Sequence, residues 1–400
     1  MPSGIHIGRR RSGADVVGLD IQPGFTAAVR SKVNGSIVAE QATWMALPSD
    51  TMRDGEVLDE GALADALRDM FAESGMSKRV RVGVANQRTV LRTLELPPVT
   101  DQKELAAAVT FQAQDQVPMP LSNAVLDFHP LGIVDTPSGP RQRVVLVAAQ
   151  RDMIERLVGS VRRAGLSPEG VDLSAFALIR SLYRPVSDQE GTPSRVLYLN
   201  VDGLTNLAIA EGSVCRFTRV VGSGLEGMAV ELAERRAIAL IEARELIAGV
   251  DLTEEAPLPA QAPDSEEPSA EAAYEDDADT DETPIAGPAP EVDVRAIIES
   301  GIRDISGEVR NSLDFHRSQD EGGEVSHAIL SGAAQDIPGF AQALQSALGV
   351  EVRSSSVGLA DEGVTDEISA HRLAVAVLAE PEQGLLQGIP LVCSDEHCGG

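Results

Sequence analysis

Apolar residues recur along the chain with two periods, one of strands and one of helices. Residues 16–19 form an apolar run that closes on Asp20, and residues 26–29 follow a Pro23-Gly24 turn, which predicts a hairpin. Within 61–73, Leu63, Leu67, Met70 and Phe71 share one helical face. Val80, Val82 and Val84 alternate as a half-buried strand, and Val90, Arg92, Leu94 and Leu96 keep that period. From 89 the pattern predicts strand, helix, strand, strand, helix. The pieces are 89–96, a helix near 101–116, strands at 124–131 and 144–148, and a helix near 151–164. That last helix carries Ile154, Leu157, Val158 and Val161 on one stripe. Pro118 and Pro120 stop the helix before them, because proline lacks an N–H and restricts the residue preceding it.

A second run of strands is predicted at 196–201, 207–210 and 214–221, after which Gly222-Ser223-Gly224 opens one long helix to about 248. Both halves begin as strand, Asp-containing turn, strand, which reads as a diverged repeat of two related lobes. Residues 253–292 differ in kind. They hold thirteen Asp and Glu, many Pro and Ala, and no Lys or Arg, a composition that buries too little apolar surface to order a chain. Order is expected again at 293, where Val294, Ile297, Ile298, Ile302, Ile305, Val309 and Leu313 define a long amphipathic helix. A strand at 328–330, a helix at about 338–348, a strand at 350–352 and a helix near 367–379 complete the body.

Charge then removes several functions. The net charge of −29 disfavours nucleic acid and anionic lipid, which reward Lys and Arg. Cys215, Cys393 and Cys398 are too few for a disulfide framework, and Cys393, His397 and Cys398 fall one short of a zinc ligand set. Arg9, Arg10 and Arg11 are followed by Ser12-Gly13-Ala14-Asp15 in place of an apolar segment, so no ordinary secretory signal is expected. No stretch approaches the roughly 18 uncharged apolar residues of a spanning helix. The expectation is a cytoplasmic protein.

Five stretches, in order, resemble the PilM family of type IV pilus assembly proteins. They are Leu47-Pro48 through Arg53-Asp54-Gly55-Glu56-Val57-Leu58-Asp59; Leu94-Glu95-Leu96-Pro97-Pro98; Val117-Pro118-Met119-Pro120 with Val125-Leu126-Asp127; Leu146-Val147-Ala148-Ala149 through Ala164-Gly165-Leu166; and Ser312-Leu313-Asp314-Phe315-His316-Arg317-Ser318-Gln319. The resemblance covers about residues 14–380 and implies an α/β, actin-like, two-lobed fold. Residues 14–88 and 171–194 would form the first core subdomain, with 89–170 inserted as the small 1C (βαββα) subdomain, as in the cell-division protein FtsA. Residues 195–380 would form the second lobe with a disordered acidic loop at 253–292, flanked by tails at 1–13 and 381–400. The implied function is a cytoplasmic scaffold of the pilus machinery, recruited to the inner face of the membrane. Its implied partners are the N-terminal peptide of a PilN-like membrane protein, bound between the first core subdomain and 1C, and the pilus motor ATPases. An ATP-binding actin-like switch and an FtsA-like division protein are the competing readings. The acidic tail around Asp395 and Glu396 speaks against the latter, since an interfacial helix favours Lys and Arg on its polar face.

No cofactor follows from the residues themselves; the resemblance implies ATP with magnesium. In actin-like proteins two Asp-x-Gly hairpins cradle the phosphates and a Gly-rich loop meets the adenosine, because glycine lets backbone N–H groups approach an oxyanion. The matching positions are Asp20, Gly24, Asp202, Gly203, Thr205 and Gly332. They sit in eroded motifs. Gln22, Pro23 and Phe25 replace a glycine and two hydroxyl residues, Asn200 replaces an aspartate, and Asp202 sets a negative charge where a phosphate would lie. Ser331-Gly332-Ala333-Ala334 narrows the adenosine loop by added methyls. A pseudo-ATPase without catalytic residues is therefore expected, because phosphoryl transfer needs those donors in place.

Overall fold

The computed structural model describes residues 16–34, 36–184, 194–254, 293–319, 322–360 and 368–377. The expected disorder of the acidic segment, apart from residues 253 and 254, and the Cys393–His397–Cys398 cluster lie outside the described residues. Strand β1 (Val17–Gln22) is buried at every position. It turns at Pro23-Gly24 into β2 (Phe25–Asn34), with Gly24 at φ 79°, a conformation glycine adopts without a Cβ clash. Strand β3 (Ser36–Ala46) and a short hairpin, β4 (Met52–Arg53) and β5 (Glu56–Val57), lead into helix α1 (Glu60–Ser74). The Asp59 carboxylate accepts from the N–H groups of Gly61 and Ala62, a cap that stabilises a helix by about 1 kcal/mol. Strand β6 (Arg79–Val84) follows.

Next come β7 (Thr89–Leu96), α2 (Gln102–Gln116), β8 (Ala124–Thr136), β9 (Gly139–Gln150) and α3 (Arg151–Arg163), in the predicted strand and helix order. Strand β9 lies between β7 and β8, so β8 forms an edge. Alternation along β9 divides its side chains: Val144, Leu146 and Ala148 pack with Leu105, Val109 and Ala113 of α2. Val145, Val147 and Ala149 face the main core with Met153, Ile154 and Leu157 of α3. Strand β10 (Ser167–Leu173) and helix α4 (Ser174–Leu182) complete the first half.

The second half opens with β11 (Arg195–Val201), β12 (Thr205–Glu211) and β13 (Val214–Val221). The single helix expected up to 248 is in fact two, α5 (Leu225–Arg236) and α6 (Leu240–Ala248). The break comes at Ala237, which takes a left-handed conformation (φ 54°), and it lets Leu232 and Ile247 enter one core from both arms. Helix α7 (Val294–Arg317) buries Ile297, Ile298, Ile302, Ile305 and Val309, the predicted stripe. Strand β14 (His327–Ser331), helix α8 (Phe340–Leu348), β15 (Val352–Ser354) and β16 (Gly358–Leu359) follow. The helix expected near 367–379 is, within the described residues, a 3-10 turn at Ala370–Leu373; the flanks of that stretch lie outside them.

The two large sheets share one topology. In the first, the order β3-β2-β1-β6-β10 is an antiparallel meander extended by two parallel strands, and β13-β12-β11-β14-β15 repeats it. Helix α4 lies between the sheets, packed on strands of both. The end of the chain crosses back: β16 pairs with β3, and Leu373–Val377 enter the first core. That return positions the functional cleft.

Candidate functional site: the cleft between the two turns

The β1–β2 turn of the first sheet and the β11–β12 turn of the second face one another. They approach so closely that a Cβ added to Gly203 would lie 2.4 Å from the carbonyl oxygen of Pro23. Beside them opens a cavity of about 360 Å3. Its walls are Phe25 and Trp44 on one side, Leu225 and Ala229 of α5, Ile241 and Ile247 of α6, and Ala333 and Ile337 after β14. Phe25 and Trp44 stack with ring centroids 6.1 Å apart. Helices α5 and α6 are joined by a Glu226–Arg244 pair, Arg244 Nε donating at 2.8 Å, and a Cβ at Gly24 would press on that pair, 2.5 Å from Glu226 Oε2.

Of the positions picked out in the sequence, Gly24, Asp202 and Gly203 line this cavity, whereas Asp20, Thr205 and Gly332 do not. Asp20 lies beneath the turn with 1% exposure, its carboxylate accepting from Gln22 Nε2 at 2.7 Å. Burial pushes the Asp20 carboxyl up to about 7. Asp202 adds to the rise, and the Gln22 hydrogen bond and Arg372 oppose it. Thr205 Oγ1 donates to the carbonyl of Ser223 at 2.6 Å, and Gly332 N–H donates to the carbonyl of His371 at 2.9 Å. Gly332 is nonetheless required as glycine, since φ is 92° and a Cβ would meet Val201 O at 2.4 Å.

Asp202, expected as a bare charge, is instead paired. Arg372 grips both of its oxygens, Nη2 to Oδ1 at 2.8 Å and Nε to Oδ2 at 3.1 Å, and Ala333 N–H adds a third contact at 3.3 Å. The same guanidinium lies 3.7 Å over the centre of the Phe25 ring. Sequence reasoning missed Arg372, Trp44 and the Glu226–Arg244 pair. The one available signal was Phe25, an aromatic ring where a hydroxyl was expected, which suits an arginine face.

Two sheets of the same topology meeting at paired turns define the actin-like fold. The sequence profile of the type IV pilus assembly protein PilM family matches residues 18–224. The chain belongs to that family. Among solved structures it is similar to a chain of the PilM-PilN type IV pilus biogenesis complex, at 20% identity and a TM-score of 0.67, covering 91% of this chain and 97% of the other. It also matches the ethanolamine utilization protein EutJ from Carboxydothermus hydrogenoformans (14% identity, TM-score 0.46, 91% and 89% covered). A third match is MreB 5 of Spiroplasma citri bound to AMPPNP (11% identity, TM-score 0.43, 85% and 90% covered).

Proposed function

We propose that the chain is a cytoplasmic scaffold of a type IV pilus assembly machine that binds the N-terminal peptide of a PilN-like membrane protein. The observation that carries this is family membership over 18–224, a span that takes in the first sheet apart from Val17 and β16, and all of the three-stranded β7–β9–β8 unit. The groove between them is the place the family resemblance gives to such a peptide, and the edge strand β8 offers backbone groups to an extended chain. No helix among the described residues is long and apolar enough to cross a membrane, so attachment through a membrane partner suits this protein. We assign 89–170 to the inserted subdomain and the motor ATPases to a second contact.

Magnesium-ATP does not fit the cleft. Asp20 lies buried beneath the turn, off the cavity wall and engaged by Gln22, Pro23 offers no N–H, and Thr205 and Gly332 spend their donors inside the protein. Asp202 faces the cavity as an acceptor already satisfied by Arg372. These features support a pseudo-ATPase. Calorimetry is expected to show no magnesium-ATP binding tighter than about 100 μM, roughly 5.5 kcal/mol. For the scaffold itself, the tagged chain is expected to co-purify the full-length membrane partner from solubilised membranes and to lose it when the partner's N-terminal residues are deleted. Retention of the truncated partner contradicts the peptide mode.

A further inference from the structure

Arg372 lies in the turn that ends on Leu373, and Leu373, Ala374 and Val375 are buried in the core that backs the first sheet and also takes in Tyr198, Ala208 and Ala210 of the second. Its target, Asp202, belongs to the turn of the second. We propose that Arg372 is a built-in ligand of the cleft, and that its guanidinium, bidentate on Asp202 and face-on to Phe25, holds the two lobes at one fixed spacing. The inference rests on the reading that the cleft carries no nucleotide, and goes beyond it by naming what closes the lobes in its place.

Three observations carry it. The geometry is the planar fork that matches a carboxylate, and an arginine so placed is stacked and doubly bonded at once. The pair is secluded, with the Asp202 side chain 4% and that of Arg372 22% exposed, so its attraction is weakly screened. The backbones of the two turns are in contact, since Gly203 has no space for a Cβ against Pro23 O. A closure driven by a diffusible ligand depends on that ligand's concentration and on its preference for the closed state. A guanidinium anchored in the same chain is always present. The class of ligand it excludes is the polyphosphates, which would have to separate Arg372 from Asp202 and then face a buried, unpaired carboxylate.

The consequence is constitutive closure, and it is read as a distance. Leu58 on the first lobe and Ile241 at the cavity mouth are both exposed and accept spin labels through Leu58→Cys and Ile241→Cys. Cys393 and Cys398 are changed to serine, while Cys215 is left in place because burial pushes its thiol up to about 12 and keeps it unreactive. The labelled chain is expected to give one narrow distance distribution, the same with and without magnesium-ATP. Arg372→Ala and Asp202→Ala should each shift it to longer, broader distances, and the double variant should go no further than either alone. Arg372→Lys keeps the charge and loses the fork, so it should broaden the distribution as well, and it decides the matter if the alanine variant does not fold. A wild-type distribution in both Arg372 variants overturns the latch. Heat of magnesium-ATP binding to the unaltered chain instead overturns the empty-cleft reading, and the distances judge the latch separately.

Discussion

Arg372 and Asp202, 170 residues apart in the chain, form a bidentate pair that spans the cleft between the two sheets. Removing one partner of a buried pair leaves the other charge without compensation. Arg372→Ala is therefore expected to lower unfolding stability by about 3 kcal/mol, at the low end for such pairs because Arg372 keeps some exposure. The double variant Arg372→Ala, Asp202→Asn should lose less than the single one, since no charge is stranded. Urea titration of the three proteins checks this.

Asp20 predicts a pH dependence. Its carboxyl rises to about 7 in the folded protein from an ordinary value of 3.8. The folded state thus holds a proton that the unfolded chain has released between those values, and stability from this group falls as pH rises through that window. Asp20→Asn stays neutral throughout. The variant should gain thermal stability over the parent at pH 8 and show little or no gain at pH 4, measured as the difference in melting temperature across that range.

Gly203→Ala adds a Cβ at 2.4 Å from the carbonyl of Pro23, a backbone atom that cannot rotate away. The two turns must separate, at a cost of about 2 kcal/mol in the range of overpacked cores. Gly227→Ala, in α5 with open space at its Cβ, is the control and should be neutral or stabilising.

Arg295 closes the body beneath the acidic segment. Its guanidinium donates to the carbonyls of Leu252 at 3.1 Å and Glu254 at 2.6 Å, so both ends of that segment already meet. Replacing residues 255–290 with a short Gly/Ser linker is expected to change the melting temperature little, because closure entropy grows slowly with loop length. A large drop would mean that the segment packs on the body.

Local features were legible in the sequence, and contacts across the chain were not. Helix α7 was readable because Ile297, Ile298, Ile302, Ile305 and Val309 follow the helical period against exposed partners. The turns of Gly24 and Gly203 were readable because turn chemistry lies in adjacent residues. Helix α4 left no such trace: it is buried at all nine positions between the sheets, so it shows no stripe. The end of α5 at Ala237 carried no glycine to mark it. At the site, spacing placed Asp202 but not its partner, since Arg372 sits in Ser369-Ala370-His371-Arg372-Leu373 with no motif around it. The negative charge was thus read as repulsive, when the fold neutralises it.

The central claim is that this chain is a peptide-binding scaffold whose cleft needs no nucleotide. Its most direct test is a fluorescence anisotropy titration of the full chain against a labelled peptide from the cytoplasmic N-terminus of the cognate PilN-like protein, with and without magnesium-ATP. Saturable binding at micromolar concentrations, unchanged by the nucleotide, is the predicted result. No binding below millimolar concentration by folded protein, or an affinity that appears only with magnesium-ATP, would contradict it.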